Sequence, residues 1–398
     1  MRAKPSYLAE NPSAEPALEV RLLWEASEIL ALTEPWLALD QNAPLPSFFQ
    51  SHAWCRYVLD HIAQFNKSSE VRPVIATAWA DERLIAIWPL AIRRDKGIRV
   101  LTSLGSPFDQ YSEILMASHI DVAAVIAALV QALRATKIAD GLILRKVRLT
   151  ASAYGMVALG AHIVDEGSRA PQVTLDVDAP FGDFLKTISS KTRKNLRNYT
   201  NRLNRIGRVE HRVLRGADIA PAIALTYDGR RAWLETKGLS STAFRDDNFE
   251  KFVTGLTGPE AIELGLIVFA LMLDERMIAL QWGFIHEGRY YAYLSTRDPE
   301  FEAYSTGRIH LQHVLEACHE RGIGMADLMV PAVPYKMNWT DVADPVIDLV
   351  WPWTTRGYLQ LKVYEQGLRP LLKRVVLNLP LGVRQGLFAV LSGAKRAH

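Results

Sequence analysis

Small residues begin one predicted helix directly after an aromatic strand. The stretch EAYSTGRIHLQHVLEA (302–317) follows YYAYLSTRDP and places Ser305, Thr306 and Gly307 at the helix start, with Arg308 next. Amide groups in the first turn of a helix have no partner within the helix, and the helix dipole favours negative charge there. A phosphate is therefore one predicted occupant. A plain Ser/Thr N-cap, worth about 1 kcal/mol of helix stability, explains the same residues.

A second set of chemically capable residues follows a short predicted strand. In MADLMVPAVPYKMNWTD, Asp327 ends the strand, and Tyr335, Lys336 and Trp339 follow a proline-stiffened loop. An aspartate at a strand end beside a cleft can act as a general base, and a tyrosine or lysine as a proton donor or anion clamp. The alternative is an aspartate that caps a turn and a tyrosine–lysine pair on an ordinary loop.

One predicted helix carries a dense strip of positive charge. Between Phe184 and Val209 the chain has no acidic residue and eight basic ones, which are Lys186, Lys191, Arg193, Lys194, Arg197, Arg202, Arg205 and Arg208. Apolar residues recur there every three or four positions, so one face is predicted to pack and the other to carry the cations. The cations fit a solvated face. They also fit a binding surface for a polyanion such as coenzyme phosphates, tRNA or an acidic glycan.

The C-terminal tail has a similar imbalance. Beyond Gln366 it has no acidic residue, and leucine and valine are interleaved with Arg369, Lys373, Arg374, Arg384, Lys395 and Arg396. This pattern fits a basic amphipathic segment that rests on an anionic membrane surface or binds an anionic regulator. It also fits a helix that is docked on the rest of the protein.

Several catalytic and metal-binding motifs are missing. His310 and His313 share a helix face, but Cys318 and His319 point elsewhere and no H-E-x-x-H motif occurs, so we expect no metal. The sequence has no P-loop, no G-x-G-x-x-G between a strand and a helix, and no G-x-S-x-G elbow of serine hydrolases.

Composition bounds the class of protein. At 398 residues the chain is long enough for two domains, and its 49% hydrophobic and 22% charged residues are typical of a folded protein. Two cysteines, Cys55 and Cys318, exclude a disulfide framework and favour a reducing compartment. No secretory signal or membrane-spanning stretch is predicted. We therefore expect a cytoplasmic protein, with peripheral contact to the inner membrane as an option.

The elements that must position these residues form two similar series. The segment DERLIAIWPLAI in the first half is echoed by DERMIALQWGFI in the second. The second half has three strands joined at Asp274–Glu275 and Glu287–Gly288, which predicts an antiparallel meander, and one long helix is predicted over 181–207. We predict a duplicated α/β unit with four segments: an N-terminal arm and leading helix (1–45), a first unit (46–171), a second unit (172–355) and a basic tail (356–398).

The order of several segments resembles a known family. SSKTRKNLRNYTNRL, RRAWLETKGLS, YYAYLSTRDPEFEAYSTGRIHLQHVLEACHERG and ADLMVPAVPYKMNW occur in the order typical of CelD/BcsL-type GNAT (Gcn5-related) acyltransferases. The N-terminal FFQSHAWCRYVL and RLIAIWPLAIRR resemble the first half of such proteins, so the resemblance runs from about residue 48 to 353. Its members resemble Fem-type transferases with two tandem GNAT-like units. The implied fold is mixed α/β (α+β), with a largely antiparallel sheet flanked by helices in each unit.

The resemblance implies transfer of an acyl group from acetyl-CoA or another acyl-CoA to an amine. GNAT proteins bind the coenzyme pyrophosphate at a helix start, in a Gln/Arg-x-x-Gly-x-Gly/Ala loop. The matching AYSTGRI keeps Gly307 and has Ile309 in the place of the second small residue. The implied coenzyme-binding residues are Tyr293, Leu294, Ser295, Ser305, Thr306, Gly307 and Arg308.

Roles in the reaction are assigned by the same resemblance. Asp327 is expected to orient or deprotonate the amine, and Tyr335, with Tyr304 as a competitor, to donate a proton to the sulfur. Residues expected to contact anionic parts of the donor or the acceptor, or to line the acceptor pocket, are Lys191, Arg193, Lys194, Arg197, Trp233, Lys237, Lys336 and Trp339.

Three functions remain open at this point. The family is associated with exopolysaccharide such as cellulose or holdfast-type adhesin in biofilms. The leading hypothesis is therefore N-acylation of an amino sugar or glycolipid of a bacterial surface polysaccharide. A Fem-like transferase that uses aminoacyl-tRNA is the second. The third is a non-catalytic effector of a polysaccharide synthesis complex that binds a second messenger through its tail.

Overall fold

The computed structural model describes residues 18–45, 47–65, 71–239, 241, 243–246, 248–258 and 260–368, together with 371, 375, 376, 378 and 379. Residues 1–17 of the predicted arm lie outside this range. So do the six basic residues of the predicted tail, Arg369, Lys373, Arg374, Arg384, Lys395 and Arg396.

The strands are mainly runs of apolar and β-branched residues bounded by turns. In chain order they are β1 (Leu18–Leu23), β2 (Val71–Ala80), β3 (Arg83–Asp95), β4 (Ile98–Ser103), β5 (Leu115–Met116), β6 (Gly141–Arg148), β7 (His162–Thr174), β8 (Val209–Leu214), β9 (Leu266–Leu273), β10 (Arg276–His286), β11 (Arg289–Arg297), β12 (Met325–Asp327) and β13 (Ala343–Pro352).

The α-helices lie on both faces of this sheet. They are α1 (Ala26–Leu30), α2 (Thr33–Asn42), α3 (His52–Phe65), α4 (Val122–Ala135), α5 (Phe181–Thr187), α6 (Ser190–Leu203), α7 (Ile219–Thr236), α8 (Phe249–Thr254), α9 (Glu260–Glu263), α10 (Thr306–His319) and α11 (Thr355–Gly357). Short 3₁₀ turns include Pro299–Tyr304, and a π-helix covers Tyr358–Leu368. In the part of the chain that the structure describes, no helix is both long and apolar enough to cross a membrane.

The sheet consists of two similar groups of strands. Its order is β1-β2-β3-β4-β6-β13-β7-β12-β11-β10-β9-β8, and β5 pairs with β3. In the first group β1 to β4 are antiparallel neighbours and β4 then pairs with β6 in parallel. In the second group β8 to β11 are antiparallel neighbours and β11 pairs with β12 in parallel. A helix, α4 or α10, crosses between the parallel strands each time, as parallel pairing requires. The predicted mixed α/β fold with two repeated units is confirmed.

The last strand of each group lies beside the other group. Strand β7 follows β6 in the chain but pairs with β12, and β13 follows β12 but pairs with β6. The two exchanged strands pair with each other, with Ala343 opposite Pro171. The expected division between residues 171 and 172 falls inside β7, and the four-segment division stays a prediction.

The predicted meander is observed, and its turns have the expected chemistry. Strands β9, β10 and β11 are antiparallel neighbours, and the residues between them, Asp274 and Glu287–Gly288, have positive φ angles of 53°, 46° and 68°. Such angles suit two-residue turns. Between Trp282 and Gly283 the register with β11 shifts by one residue, so Tyr293 is the extra residue of a bulge. A Cβ at Gly283 would overlap the carbonyl oxygen of Tyr291, so only glycine fits.

The single long helix predicted over 181–207 is wrong. Helices α5 and α6 are separated because Ile188 is extended, with ψ of 156°, and the Ser189 hydroxyl accepts a hydrogen bond from Thr192 N at 3.1 Å. Serine at this position caps a new helix start. The predicted apolar stripe is present at Leu196 and Leu203, which are buried.

Aromatic side chains of both groups share one core. Phe48 stacks on Phe284 with 4.4 Å between ring centroids, and Trp54 lies 5.6 Å from the same ring. The Tyr57 hydroxyl donates to the carbonyl oxygen of Phe252 at 2.6 Å. Helix α3 of the first group thus packs against the sheet of the second, and each group holds the other in place.

Candidate functional site

Strand β11 has an open edge. It pairs with β12 at Arg289, Tyr290 and Tyr291, and β12 then ends at Asp327 while β11 continues to Arg297. Backbone groups of residues 292–297 therefore have no strand partner on this side within the described chain. The predicted coenzyme contacts Tyr293, Leu294 and Ser295 lie in this stretch, directly at the bulge. An extended ligand with amide groups can pair with such an edge.

The Tyr293 side chain is not available to a ligand. Its hydroxyl donates to the carbonyl oxygen of Phe108 at 2.9 Å, and burial raises the pKa of the phenol well above its usual value. Tyr293 can therefore contribute only its backbone to the open edge.

The open edge leads to a helix start that lacks a side-chain cap. Ser305 has a left-handed conformation with φ of 53°, and its side chain caps no amide. In the described chain the amides of Thr306 and Gly307 donate to no acceptor, and the buried Thr306 hydroxyl has no partner. A Cβ at Gly307 would approach nothing closer than Arg297, at 3.8 Å. The first turn of α10 therefore suits a phosphate.

The equivalent place in the first group is closed. Helix α4 is capped by the Asp121 carboxylate, which accepts from Ala124 N at 3.0 Å. Beyond the pairing of β4 with β6, the Lys146 ammonium donates to Gln110 Oε1 at 2.8 Å, so the loop after β4 fills the opening. A carboxylate at the helix start and a filled opening are unsuited to an anionic coenzyme. The second group alone retains both features among the described residues.

A pocket of about 270 Å³ lies beside the α10 start. Lys191 and Thr192 of α6, Arg308 of α10, and Asn338 and Trp339 of the loop after β12 line it. Three of these, Lys191, Arg308 and Trp339, were predicted from the sequence as ligand contacts, and the structure brings them together.

Other cations of the predicted strip do not reach this pocket. The Arg193 guanidinium donates to the carbonyl oxygens of Leu185, Lys186 and Ile188 at 2.8–3.0 Å, so it closes the end of α5. Lys194 and Arg197 are exposed on the outer face of α6. These contacts favour a structural role for Arg193 and a solvated position for the other two.

Asp327 is fully buried in a polar network. Its carboxylate accepts hydrogen bonds from the Tyr111 hydroxyl and from Met329 N, each at 2.9 Å, and forms an ion pair with Arg148. Burial opposes the charge of Arg148, but Asp327, Tyr111 and Tyr291 together outweigh this effect and raise the pKa of Arg148. The predicted role of Asp327 as a base remains a prediction, and these contacts favour a structural role.

Lys336 and Tyr335 face different surroundings. The Lys336 ammonium donates to the carbonyl oxygens of Leu328 and Met329 at 2.7 and 3.0 Å, and burial lowers its pKa to about 8. Burial raises the pKa of Tyr335, while the positive charges of Arg230 and Arg297 oppose this. Lys336 therefore holds the loop after β12, and Tyr335 lies among arginines near the end of β11.

The remaining predicted residues are more scattered. Tyr304 lies beneath Arg202 of α6, with the guanidinium 5.3 Å from the ring centroid. Trp233 is half-buried on α7 and contacts Arg230, whereas Lys237 is exposed at the C-terminal end of α7. Sequence reasoning missed Arg230 and Arg297. The Gly229 that precedes Arg230 in the helix was the available signal, because an interior glycine often marks a close packing contact.

The histidines of α10 form a separate cluster. His310 is buried, and the rings of His211 and His313 stack with 3.2 Å between centroids. Burial lowers the pKa of His310 to about 3. In the ranges that the structure describes, no group of three or more His, Cys, Asp or Glu side chains is arranged to hold a metal ion.

Comparison with known proteins agrees with this geometry. Residues 190–337 match the family model described as an acetyltransferase (GNAT) domain. This part of the chain is therefore similar to a GNAT domain. It contains the open edge of β11, the α10 start and Tyr335, and the GNAT part of the predicted resemblance is confirmed. No curated protein matches the sequence significantly.

Solved structures show the same fold at low sequence identity. FemX superposes with a TM-score of 0.59 at 10% identity, over 87% of this chain and 100% of that one. The C-terminal domain of a putative lysylphosphatidylglycerol synthetase from Agrobacterium fabrum superposes with a TM-score of 0.50 at 13% identity, over 86% of this chain and 98% of that one. At these identities the likeness concerns the fold.

Proposed function

We propose that this chain transfers an acyl group, acetyl in the first instance, from acyl-CoA to an amine. The observation that carries the proposal is the open edge of β11, which leads to the free first turn of α10 within the GNAT domain. Acyl-CoA would supply the acyl group in activated form, as a thioester.

The residues present fit such a coenzyme. The amides of Thr306 and Gly307 and the unpartnered Thr306 hydroxyl suit a diphosphate, with Arg308 and Lys191 as nearby positive charges. The Ile309 side chain, at the place of a small residue in the family loop, is buried in the apolar core beneath α10. It therefore leaves the first turn accessible.

In this proposal Tyr335 donates the proton to the departing thiolate. An attacking amine must be unprotonated, and a departing thiolate needs a proton. The raised pKa of Tyr335 keeps its phenolic oxygen protonated at neutral pH, although the neighbouring arginines moderate the shift. Tyr335 can therefore hold the required proton next to the open edge.

The acceptor we propose is an amino sugar or glycolipid of a bacterial surface polysaccharide, such as cellulose or holdfast material. This finer assignment, with its CelD/BcsL-type branch and a cytoplasmic location near the inner membrane, rests on the resemblance of the segment order. Exposed apolar side chains after β13 support contact with a membrane surface, because Leu359 and Val363 are 60% and 51% exposed.

Transfer from aminoacyl-tRNA is the second candidate. Lys194 and Arg197 on α6 are exposed and pair with no acidic side chain in the described chain, so they are free to contact RNA phosphates. Binding of charged tRNA should then weaken steeply with salt, whereas binding of acetyl-CoA, which has far fewer phosphates, should weaken less.

Isothermal titration calorimetry separates the candidates. Acetyl-CoA is expected to bind at micromolar concentration, with tRNA and a cyclic dinucleotide giving no heat, and free thiol should appear when an amino sugar is added. Binding of tRNA alone would replace the proposal with the second candidate. Binding of the cyclic dinucleotide alone would point to the non-catalytic effector.

Replacement of Gly307 by aspartate tests the diphosphate site. A Cβ at this position would meet only the flexible Arg297 side chain, at an ordinary contact distance of 3.8 Å, and an acidic residue stabilises a helix start, so Gly307→Asp should fold normally. Its carboxylate would repel the diphosphate, and we expect affinity for acetyl-CoA to fall at least about tenfold, or roughly 1.4 kcal/mol.

The matched control is Gly182→Asp, at the start of α5, where an added Cβ would meet nothing within 4 Å. Equal affinities of the two variants for acetyl-CoA would remove α10 from the coenzyme site.

A further inference from the structure

Helix α7 touches the end of β11 at one glycine. A Cβ at Gly229 would overlap the Thr296 hydroxyl, so the helix backbone approaches this strand as closely as glycine allows. The next residue on the helix is Arg230 and the next on the strand is Arg297. The close contact therefore brings two arginines to the same end of the open edge.

Arg230 lies there without a carboxylate partner among the described residues. Its guanidinium lies 4.3 Å from the ring centroid of Trp233, and the charged or titratable groups that act on it are Tyr335 and Arg297. Burial lowers the pKa of Arg230, Tyr335 opposes this, and the like charge of Arg297 lowers it further. A half-buried cation beside another cation is unfavourable unless an anion joins them.

The neighbouring arginine of α7 shows the contrast. Arg231 is exposed and lies 3.4 Å from Asp228 and 3.9 Å from Glu250. Within the described ranges Arg297 has one acidic partner, the exposed Glu302 at 3.5 Å, which solvent or a ligand can readily replace. The missing anion is therefore specific to Arg230 and the space it shares with Arg297.

Arg230 lies on the face of the sheet opposite α10. Helix α7 packs Ile223 and Tyr227 into the larger core, whereas α10 packs Leu311 and Val314 into a second core on the other face. In the proposed function the coenzyme diphosphate binds at the α10 start. Arg230 thus belongs to the face from which an amine would approach Tyr335. The Arg297 guanidinium also reaches the α10 start, because it lies 3.8 Å from a Cβ built at Gly307.

We propose that Arg230 and Arg297, beside Tyr335, form a subsite for a negatively charged group on the acceptor. The acceptor would then be an acidic amine, such as an amino sugar phosphate or an amino uronic acid, rather than a neutral amino sugar. This inference rests on the proposed function and adds the charge class of its second substrate. Paired arginines suit both carboxylate and phosphate because they offer forked donors.

The test compares three acceptors with one amine in common: glucosamine, glucosamine 1-phosphate and glucosaminuronic acid. For the wild-type protein we expect kcat/KM to be about 10- to 50-fold higher for one or both charged acceptors. The kcat/KM values of the two charged acceptors, compared with each other, show whether the subsite prefers phosphate or carboxylate. In Arg230→Gln the ratio of kcat/KM for the charged acceptor to that for glucosamine should fall towards one. In Arg231→Gln, the matched control, this ratio should stay as in the wild type.

Direct binding keeps this inference separate from the acyl transfer. Calorimetry should show the preferred charged acceptor binding more weakly to Arg230→Gln than to Arg231→Gln. If this difference in acceptor affinity is found and acetyl-CoA does not bind, the subsite is supported and the acyltransferase proposal is removed. No preference of the wild-type protein for a charged acceptor, in binding or turnover, would overturn the subsite. A loss of acetyl-CoA affinity in Arg230→Gln, with acceptor affinity unchanged, would assign the arginines to the coenzyme instead.

Discussion

Replacing Tyr335 with phenylalanine is expected to lower kcat by about 10²- to 10⁴-fold, the range for loss of a positioned general acid. The phenol is half-buried and its pKa is raised by burial, so it carries a proton at neutral pH. The phenylalanine ring keeps the packing against the second core while the hydroxyl is lost. The measurement is thiol release under saturating acetyl-CoA and amine, together with calorimetric affinity for acetyl-CoA, which should remain within about twofold.

Tyr304→Phe is the informative comparison for this prediction. Tyr304 also follows β11 in the chain, but its ring packs beneath Arg202 of α6. A large loss of kcat in Tyr304→Phe, with Tyr335→Phe near wild type, would exchange the roles of the two tyrosines. A loss in neither would leave the reaction without a tyrosine donor.

Asp327→Asn is expected to act on stability first. Asp327 is 0% exposed and paired with Arg148, whose guanidinium lies 3.8 Å from the ring centroid of Tyr111. Removing one partner of a buried ion pair leaves the other charge uncompensated, so we expect the free energy of unfolding to fall by about 3–5 kcal/mol. Urea denaturation monitored by tryptophan fluorescence measures this value, with Glu19→Gln on the exposed face of β1 as an unaffected control.

A double-mutant cycle makes the structural role of Asp327 testable. Arg148→Met combined with Asp327→Asn should lose less stability than the sum of the single variants, because no buried charge is left alone. If Asp327 were the catalytic base as well, Asp327→Asn would also lose turnover at a temperature at which the variant is still folded. Denaturation measures the structural role, and the turnover of the folded variant at low temperature shows whether Asp327 has a catalytic role.

Local chemistry made part of the fold predictable. The turn residues Asp274 and Glu287–Gly288 indicated the meander, and the strand before Ser305 indicated a helix start open to a ligand. Lys191, Arg308 and Trp339 were predicted as ligand contacts and line one pocket. These features depend on residues close in sequence or on a family pattern, so one sequence was sufficient to find them.

Contacts between distant segments were not predictable in the same way. Tyr111, Arg148 and Asp327 come from three different strands or loops, and a lone aspartate at a strand end could not reveal its buried arginine. Arg193 belonged to a uniform cationic strip in the sequence, but its guanidinium closes the preceding helix. The meeting of Arg230 with Arg297 depends on the close approach of Gly229 to β11, which is a tertiary contact.

The exchange of β7 and β13 makes the stability of each half of the protein depend on the other half. A chain cleaved after residue 171 would leave most of β7 on the fragment that lacks its partner β12, and β13 on the fragment that lacks its partner β6. Both fragments would then expose unpaired strand edges, which promote aggregation. The two fragments should regain the native fold only when they are refolded together. In the intact protein, both halves should unfold in a single thermal transition.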